Sequence, residues 1–260
     1  MITRATLFAV ACGSLAFGCS ADMTPAEEQA EIIDNLSQAG YSADEILVYD
    51  GKVYAGRDAV VSLQGSREMI QTDERTDQEQ YRTTNLMGSG VTKVCVNPSS
   101  RFAKNSALMA GLSAAVANYN SQGLTFQFAV GPTTGCSANI SIVTTGGTSS
   151  QAGFPSGGLP FPGPVYIGTQ TANYGSGPVK HVIEHELGHC IGFRHTDYYN
   201  RSISCGGSAS NEGAAGVGAI LIPGTPSTAV LNGSVYNSCY NTGSNGTFTS
   251  GDVTALNALY

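Results

Sequence analysis

The sequence predicts an α/β (α+β) protein, on three observations. Runs rich in Val, Ile, Phe and Tyr ("TKVCVN", "LTFQFAV", "ANISIVTT", "PVYIG") read as strands. Two long stretches among them have the length and end signals of helices. Three of the chain's four histidines fall within eleven residues, on and just after the second of those stretches.

The elements follow in order. "MITRATLFAVACGSLAFGCS" has one early arginine and then an apolar run, the shape of a signal peptide over residues 1–19. A small residue before Cys19 is what a bacterial lipoprotein cleavage site looks like. Lipidation of Cys19 is the favoured reading, simple cleavage nearby the second and a single membrane pass the last; all three export the chain. "TPAEEQAEIIDNLSQAGY" predicts an amphipathic helix capped by Thr24, with Pro25 first and Gly40 after its end. "ILVYDGKVYAG" predicts a hairpin turning at Asp50-Gly51, and "REMIQTDERTDQEQYRTT" an exposed polar connector. After the strand "GVTKVCVN", "PSSRFAKNSALMAGLSAAVANYNSQG" predicts one long helix from Pro98 and Ser99 to Gly123. Two strands, a Gly/Pro-rich loop and the strand "PVYIGTQT" lead to a helix over "SGPVKHVIEHELGHCIG", with Ser176 as its cap and Gly192 as its terminator. The chain is then irregular until a short helix in "SGDVTALNALY".

Composition divides the chain. Ser20 to Arg82 holds 14 Asp/Glu and 5 Lys/Arg, whereas Thr83 to Tyr260 holds 5 and 6. Residues 20–82 are therefore read as an acidic pro-segment and residues 83–260 as the main domain. A net charge of −7 argues against a nucleic-acid partner. No internal run of about 18 apolar residues offers a membrane helix. An exported chain permits disulfides. Of the five cysteines beyond Cys19, Cys190 and Cys205 are the favoured pair because they flank the histidines, and with no CxxC spacing disulfides are preferred to metal binding.

"HELGHCIGFRH" carries the chemistry. Residues four apart share a helix face, so His185 and His189 can grip one metal. Glu186 lies a step around the helix, placed to take a proton from a metal-bound water. Gly192 lets the chain turn back and deliver His195 as a third nitrogen ligand, leaving a fourth position open. An accidental HExxH would lack the following glycine and third histidine.

This constellation resembles the metzincin clan of zinc proteases. "HVIEHELGHCIGFRHTDYY" is closer still to the bacterial dual-action HEIGH metallopeptidases of myxobacterial-protease type. "AGFPSGG", "LIPGTP" and "FTSGDVTALNALY" extend the likeness over most of residues 80–260. The resemblance implies a twisted mixed sheet, a backing helix, an active-site helix and a small irregular C-terminal subdomain, with zinc in the cleft. It also implies that "PVYIG" is an edge strand, with Val165, Tyr166, Ile167 and Gly168 lining the non-primed side for a peptide substrate. Where metzincins place a methionine beneath the zinc, this sequence offers Tyr236 in "GSVYNSCY". Some metzincin pro-segments carry an Asp shortly after a Gly. Asp58 in "YAGRDAVV" is the first candidate for such a zinc switch and Asp50 the second, although an ordinary turn carboxylate is the commoner role.

Other residues are weaker candidates. Asp197 either orients a ligand or is a solvated turn residue. His181 reads as an exposed helix histidine, and Tyr198, Tyr199 and Tyr240 could each face an oxyanion. The reading is a secreted or lipid-anchored, monomeric zinc endopeptidase made as a pro-enzyme, acting on protein or peptide. Its alternatives are a non-catalytic exported zinc-binding protein, which Tyr236 suggests, and hydrolysis of a non-peptide bond.

Overall fold

The computed structural model describes residues 23–70, 80–132, 134–213, 219–226 and 228–260. The expected signal peptide with Cys19, and residues 71–79 of the expected connector, lie outside the described residues.

The first helix, α1 (Pro25–Gln38), begins at a reciprocal capping box between Thr24 and Glu27, with Pro25 in the first turn. Hairpin strands β1 (Ile46–Tyr49) and β2 (Lys52–Ala55) turn at Asp50 and Gly51, both at positive φ (48° and 73°). Strand β3 (Ala59–Val61) pairs antiparallel with β2, and α2 (Leu63–Met69) packs on α1. These elements bury Ile32, Leu36, Tyr41, Val53, Val61 and Met69 around Phe154, a residue from far along the chain.

Strand β4 (Tyr81–Arg82) pairs with residues Ile220 and Leu221. The Gln80 amide is buried and donates to Asp252 at 2.9 Å, and Tyr81 meets Tyr198 edge-on with centroids 4.3 Å apart. Residues 80–82 therefore pack with the later part of the chain, although the charge pattern groups them with the earlier one.

The central sheet has strands β5 (Lys93–Pro98), β6 (Gln127–Val130), β7 (Ala138–Thr145) and β9 (Val165–Gly168). Their order is β6-β5-β7-β9, every pair parallel. The long helix expected behind it is two helices, α3 (Ser100–Ala103) and α4 (Ser106–Asn120). Asn105 breaks it: its side chain accepts the Leu108 N–H at 3.1 Å, the local bond that makes asparagine a cap and a poor interior residue. Helix α5 (Ser176–Cys190) lies so close to α4 that a Cβ on Gly111 would meet Val179 Cγ1 at 2.3 Å. Its N-cap is Gly175, at φ 100°, one residue before the expected Ser176. Leu108, Leu112, Ile140, Ile142, Val179, Ile183 and Leu187 fill the space between helices and sheet.

Strand β9 is not an open edge. The Tyr166 N–H and C=O exchange bonds with Gln151 at 2.8 and 2.9 Å, in an antiparallel bridge that makes this flank mixed, and the Gly168 N–H donates to Ser150 Oγ at 3.2 Å. On the flank where Val165 to Gly168 are expected to receive substrate, the chain's own residues 150–151 lie against β9. Beside it runs β8 (Ala152–Gly153), whose outer side pairs in parallel with β3.

Among its described residues the C-terminal part is irregular, holding only α6 (Ser202–Cys205), β10 (Ile220–Leu221, the partner of β4) and α7 (Ser250–Leu259). The disulfides are Cys95–Cys136 and Cys205–Cys239, while Cys190 is free. The expected Cys190–Cys205 pair is corrected: Cys190 lies fully buried in the main core, whereas Cys205 sits on the exposed surface. Among the described residues, no helix is long and apolar enough to cross a membrane.

Candidate active site

Helix α5 ends in a motif that needs glycine. The Phe193 N–H bonds the Gly188 carbonyl at 3.0 Å, and the Gly192 N–H bonds that of His189, also at 3.0 Å. This double closure puts Gly192 at φ 108°, in the left-handed region. The chain reverses there and brings His195 back beside the helix. His185 Nε2 lies 3.0 Å from His189 Nε2 and 3.2 Å from His195 Nε2.

The other nitrogen of each ring is engaged. His185 Nδ1 bonds the Val235 carbonyl at 2.9 Å and His189 Nδ1 the Phe193 carbonyl at 2.8 Å. His195 Nδ1 bonds Glu212 Oε1 at 2.5 Å. All three acceptors are oxygens, so each Nδ1 carries the hydrogen and donates it. At His185 and His189 each Nε2 is then a bare lone pair, and the His195 Nε2 converges on them at contact distance in a buried site. That arrangement is repulsive until a cation stands among them, and it fits a metal.

Asp58 reaches the same point from the N-terminal segment. Its carboxylate lies 3.1 Å from His195 Nε2 and 3.8 Å from His189 Nε2. The donor atoms of Asp58, His185, His189 and His195 all fall within 4.8 Å of one another. Burial pulls His195 down, but Asp58 and Glu212 outweigh it and hold it up, at about 10. Burial lowers His189 to about 4 and His185 well below the usual range, so these two rings are neutral. Burial, then Asp58, pushes the Glu186 carboxyl well up, and its Oε2 is buried with no hydrogen-bond partner.

A cavity of about 130 Å³ opens beside Glu186, lined by Asp58, His181, His185, Ser238 and Tyr240 among others. Below the helix the Tyr236 ring stacks on Phe193 at 4.4 Å, and its hydroxyl lies 3.0 Å from that of Tyr119. The Tyr119 hydroxyl donates to the Glu184 carbonyl at 2.7 Å, so Tyr236 donates to Tyr119. The need of a buried tyrosine hydroxyl for a partner is met.

The chain matches the family described as dual-action HEIGH metallo-peptidase over residues 53–260. The chain belongs to that family. In this HEIGH metallo-peptidase the name-giving stretch reads His185-Glu186-Leu187-Gly188-His189. Two solved structures of myroilysin are also similar. One is 11% identical with a TM-score of 0.45, covering 68% of this chain and 96% of that one. The other is 12% identical with a TM-score of 0.37, covering 65% and 82%. No curated protein matches.

The remaining sequence candidates scatter. Asp197 is fully buried, but its carboxylate binds the Ser238 N–H at 2.8 Å, the Ser238 hydroxyl at 2.7 Å and the Ser204 hydroxyl at 2.5 Å. It ties together the two segments joined by Cys205–Cys239 and is no solvated turn residue. His181 is only 6% exposed, not the surface histidine expected, and its Nδ1 meets Ser244 Oγ at 2.6 Å. Tyr198 packs on Tyr81, and the Tyr199 hydroxyl receives the Ala229 N–H at 2.9 Å, so of the three tyrosines only Tyr240 lines the cavity. Asp50 stays at its hairpin turn.

Sequence reasoning missed Glu212, Arg194 and Arg201. Glu212 is 1% exposed and takes Arg201 at 2.5 Å and Arg194 at 3.3 Å besides His195. Those contacts, His195 first, outweigh burial and lower its carboxyl to about 2. One signal was available. Only five acidic residues follow Arg82, and a carboxylate in so neutral a segment is worth asking about. All five are buried.

Proposed function

We propose that this metallo-peptidase is a zinc endopeptidase of protein or peptide substrates, exported as an inactive monomeric precursor. The observation that carries it is the convergence of three histidine Nε2 atoms, with each Nδ1 hydrogen already committed. His185, His189 and His195 would hold the metal, and three imidazole nitrogens with an open position suit zinc. When bound, the metal supplies Lewis-acid chemistry, polarising the scissile carbonyl and making water more acidic. Glu186 takes the proton of the attacking water and delivers it to the departing amine. With Asp58 in place, burial and that second carboxylate raise the Glu186 carboxyl well above its ordinary range. Removal of Asp58 takes away the second of the two influences that oppose ionisation of Glu186, after burial.

Asp58 and β3 form the latch. A carboxylate is an acceptable zinc ligand, and the strand next to it covers the outer side of β8. Cleavage before Gln80 is the boundary supported by the packing of Gln80–Arg82 with the catalytic part. Once residues 20–79 leave, the side of β8 covered by β3 is free for an extended peptide. Two disulfides match an oxidising compartment. A lipid on Cys19 would depart with the pro-segment and release the enzyme. The non-catalytic alternative drew on Tyr236, which is seated against glycine with its hydroxyl paired, so nothing in the structure favours it.

The test is Glu186→Gln in the processed enzyme. Metal content by atomic absorption should stay at one zinc per chain while casein cleavage falls by roughly 100-fold or more, the scale of general-base catalysis. Undiminished cleavage would sink the mechanism. Wild-type protein that binds no zinc would sink the whole reading.

A further inference from the structure

We propose that Glu212 is the positioning residue of the third histidine and that its charge, rather than its shape, sets how tightly the site holds metal. The inference rests on the metal-site reading above. His185 and His189 are oriented by neutral backbone carbonyls, Val235 and Phe193, at 2.9 and 2.8 Å. Those bonds suffice to fix a tautomer. His195 alone is given a carboxylate, at 2.5 Å and only 2% exposed. A carboxylate pulling on Nδ1–H pushes electron density to Nε2, which makes the ring a stronger donor to a cation.

The surroundings of Glu212 are built to keep that bond in place. Arg201 donates to the same oxygen, Oε1, and Arg194 to Oε2. Arg194 is held between two rings, with its guanidinium carbon 4.1 Å from the Tyr41 centroid and 5.1 Å from that of Tyr198. The Glu212 N–H is tied to the Tyr198 carbonyl at 2.7 Å. Two cations on one carboxylate also lower its basicity, so the proton remains on the ring and the bond stays N–H to oxygen. His195 thus stands between two carboxylates, Asp58 at Nε2 and Glu212 at Nδ1. Asp58 belongs to the segment proposed to leave, whereas Glu212 stays with the enzyme.

The experiment uses the full chain and two variants. Glu212→Gln keeps an acceptor oxygen and loses the charge, and Glu212→Ala loses both. Zinc affinity is read by competition with a chromophoric chelator. The ligand environment is read from the visible absorption of the cobalt-loaded protein, and folding from thermal melts. Glu212→Ala should bind zinc roughly 10- to 100-fold more weakly, the range for loss of such an outer partner. Glu212→Gln should weaken binding too, with a shifted cobalt band, while its melting temperature stays near wild type. If Glu212→Ala does not fold, Glu212→Gln decides alone. Wild-type affinity and an unshifted band in a folded Glu212→Gln would overturn the proposal and leave the metal-site reading intact. Absence of zinc binding by the wild type would instead overturn that reading.

Discussion

Gly188 and Tyr236 claim the same space: a Cβ on residue 188 would lie 2.2 Å from Tyr236 Cε1. The glycine inside the histidine motif is there because the ring beneath the helix needs its absence of a side chain. Gly188→Ala should therefore destabilise the protein by about 1–3 kcal/mol, the usual range for overpacking. Combining it with Tyr236→Met, whose flexible chain can move aside, should restore part of the loss. Melting curves of the two variants check this, and a second change that adds to the first would contradict it.

Asp58→Ala concerns the latch. The uncleaved variant should show peptidase activity that the uncleaved wild type lacks, because Glu186 and the three histidines lose their blocking carboxylate. The activity should stay below that of the processed enzyme, since β3 still covers β8. A coupled assay on precursor made resistant to cleavage reads both. Equal silence of variant and wild type would show that strand coverage alone enforces latency.

Thiol chemistry follows from the observed pairing. Native protein of residues 23–260 should resist alkylation, and denatured protein should take up one label, on the peptide containing Cys190, whose buried thiol is pushed well above its ordinary range. The Cys205–Cys239 link closes a separation of 34 residues, worth about 3–4 kcal/mol on the loop-entropy estimate. Replacing both cysteines by serine should lower stability by about that much. It should also loosen the segment that carries Glu212.

Two groups on α5 bracket the stability in pH. Burial, only partly offset by Lys180 at 3.2 Å, raises the Glu184 carboxyl from 4.5 to about 8. Between those values the unfolded chain releases a proton that the folded chain keeps, so stability falls as pH rises through this window. Burial lowers His181 from 6.5 to about 4. There the unfolded chain binds a proton that the folded chain refuses, so stability falls as pH drops from 6.5 to 4. Glu184→Gln should flatten the alkaline limb alone, measured as melting temperature from about pH 4 to pH 9. An unchanged alkaline limb would assign that slope to another group.

The histidine cluster was legible because helical periodicity and one glycine determine where three histidines point. The hairpin turn was legible because Asp-Gly admits the two positive φ values it needs. The break between α3 and α4 was not, since Asn105 competes with the helix only through its own side chain and the apolar stripe continues past it. The disulfide pairing failed on proximity in sequence: Cys190 is nearest to the histidines along the chain but faces the core. The cover over β9 was not legible, because nothing in "SSQAGF" announces that Gln151 will pair with Tyr166. Glu212 reaches His195 through a loop whose Gly, Ser and Asn carry no period, so only the scarcity of carboxylates pointed toward it.

Phe154 completes the core formed by α1, α2 and the first three strands. A ribosome makes those elements long before it reaches that aromatic, so the small core of the first segment is filled only once the later segment has been made. Folding of the first segment is thereby tied to folding of the second.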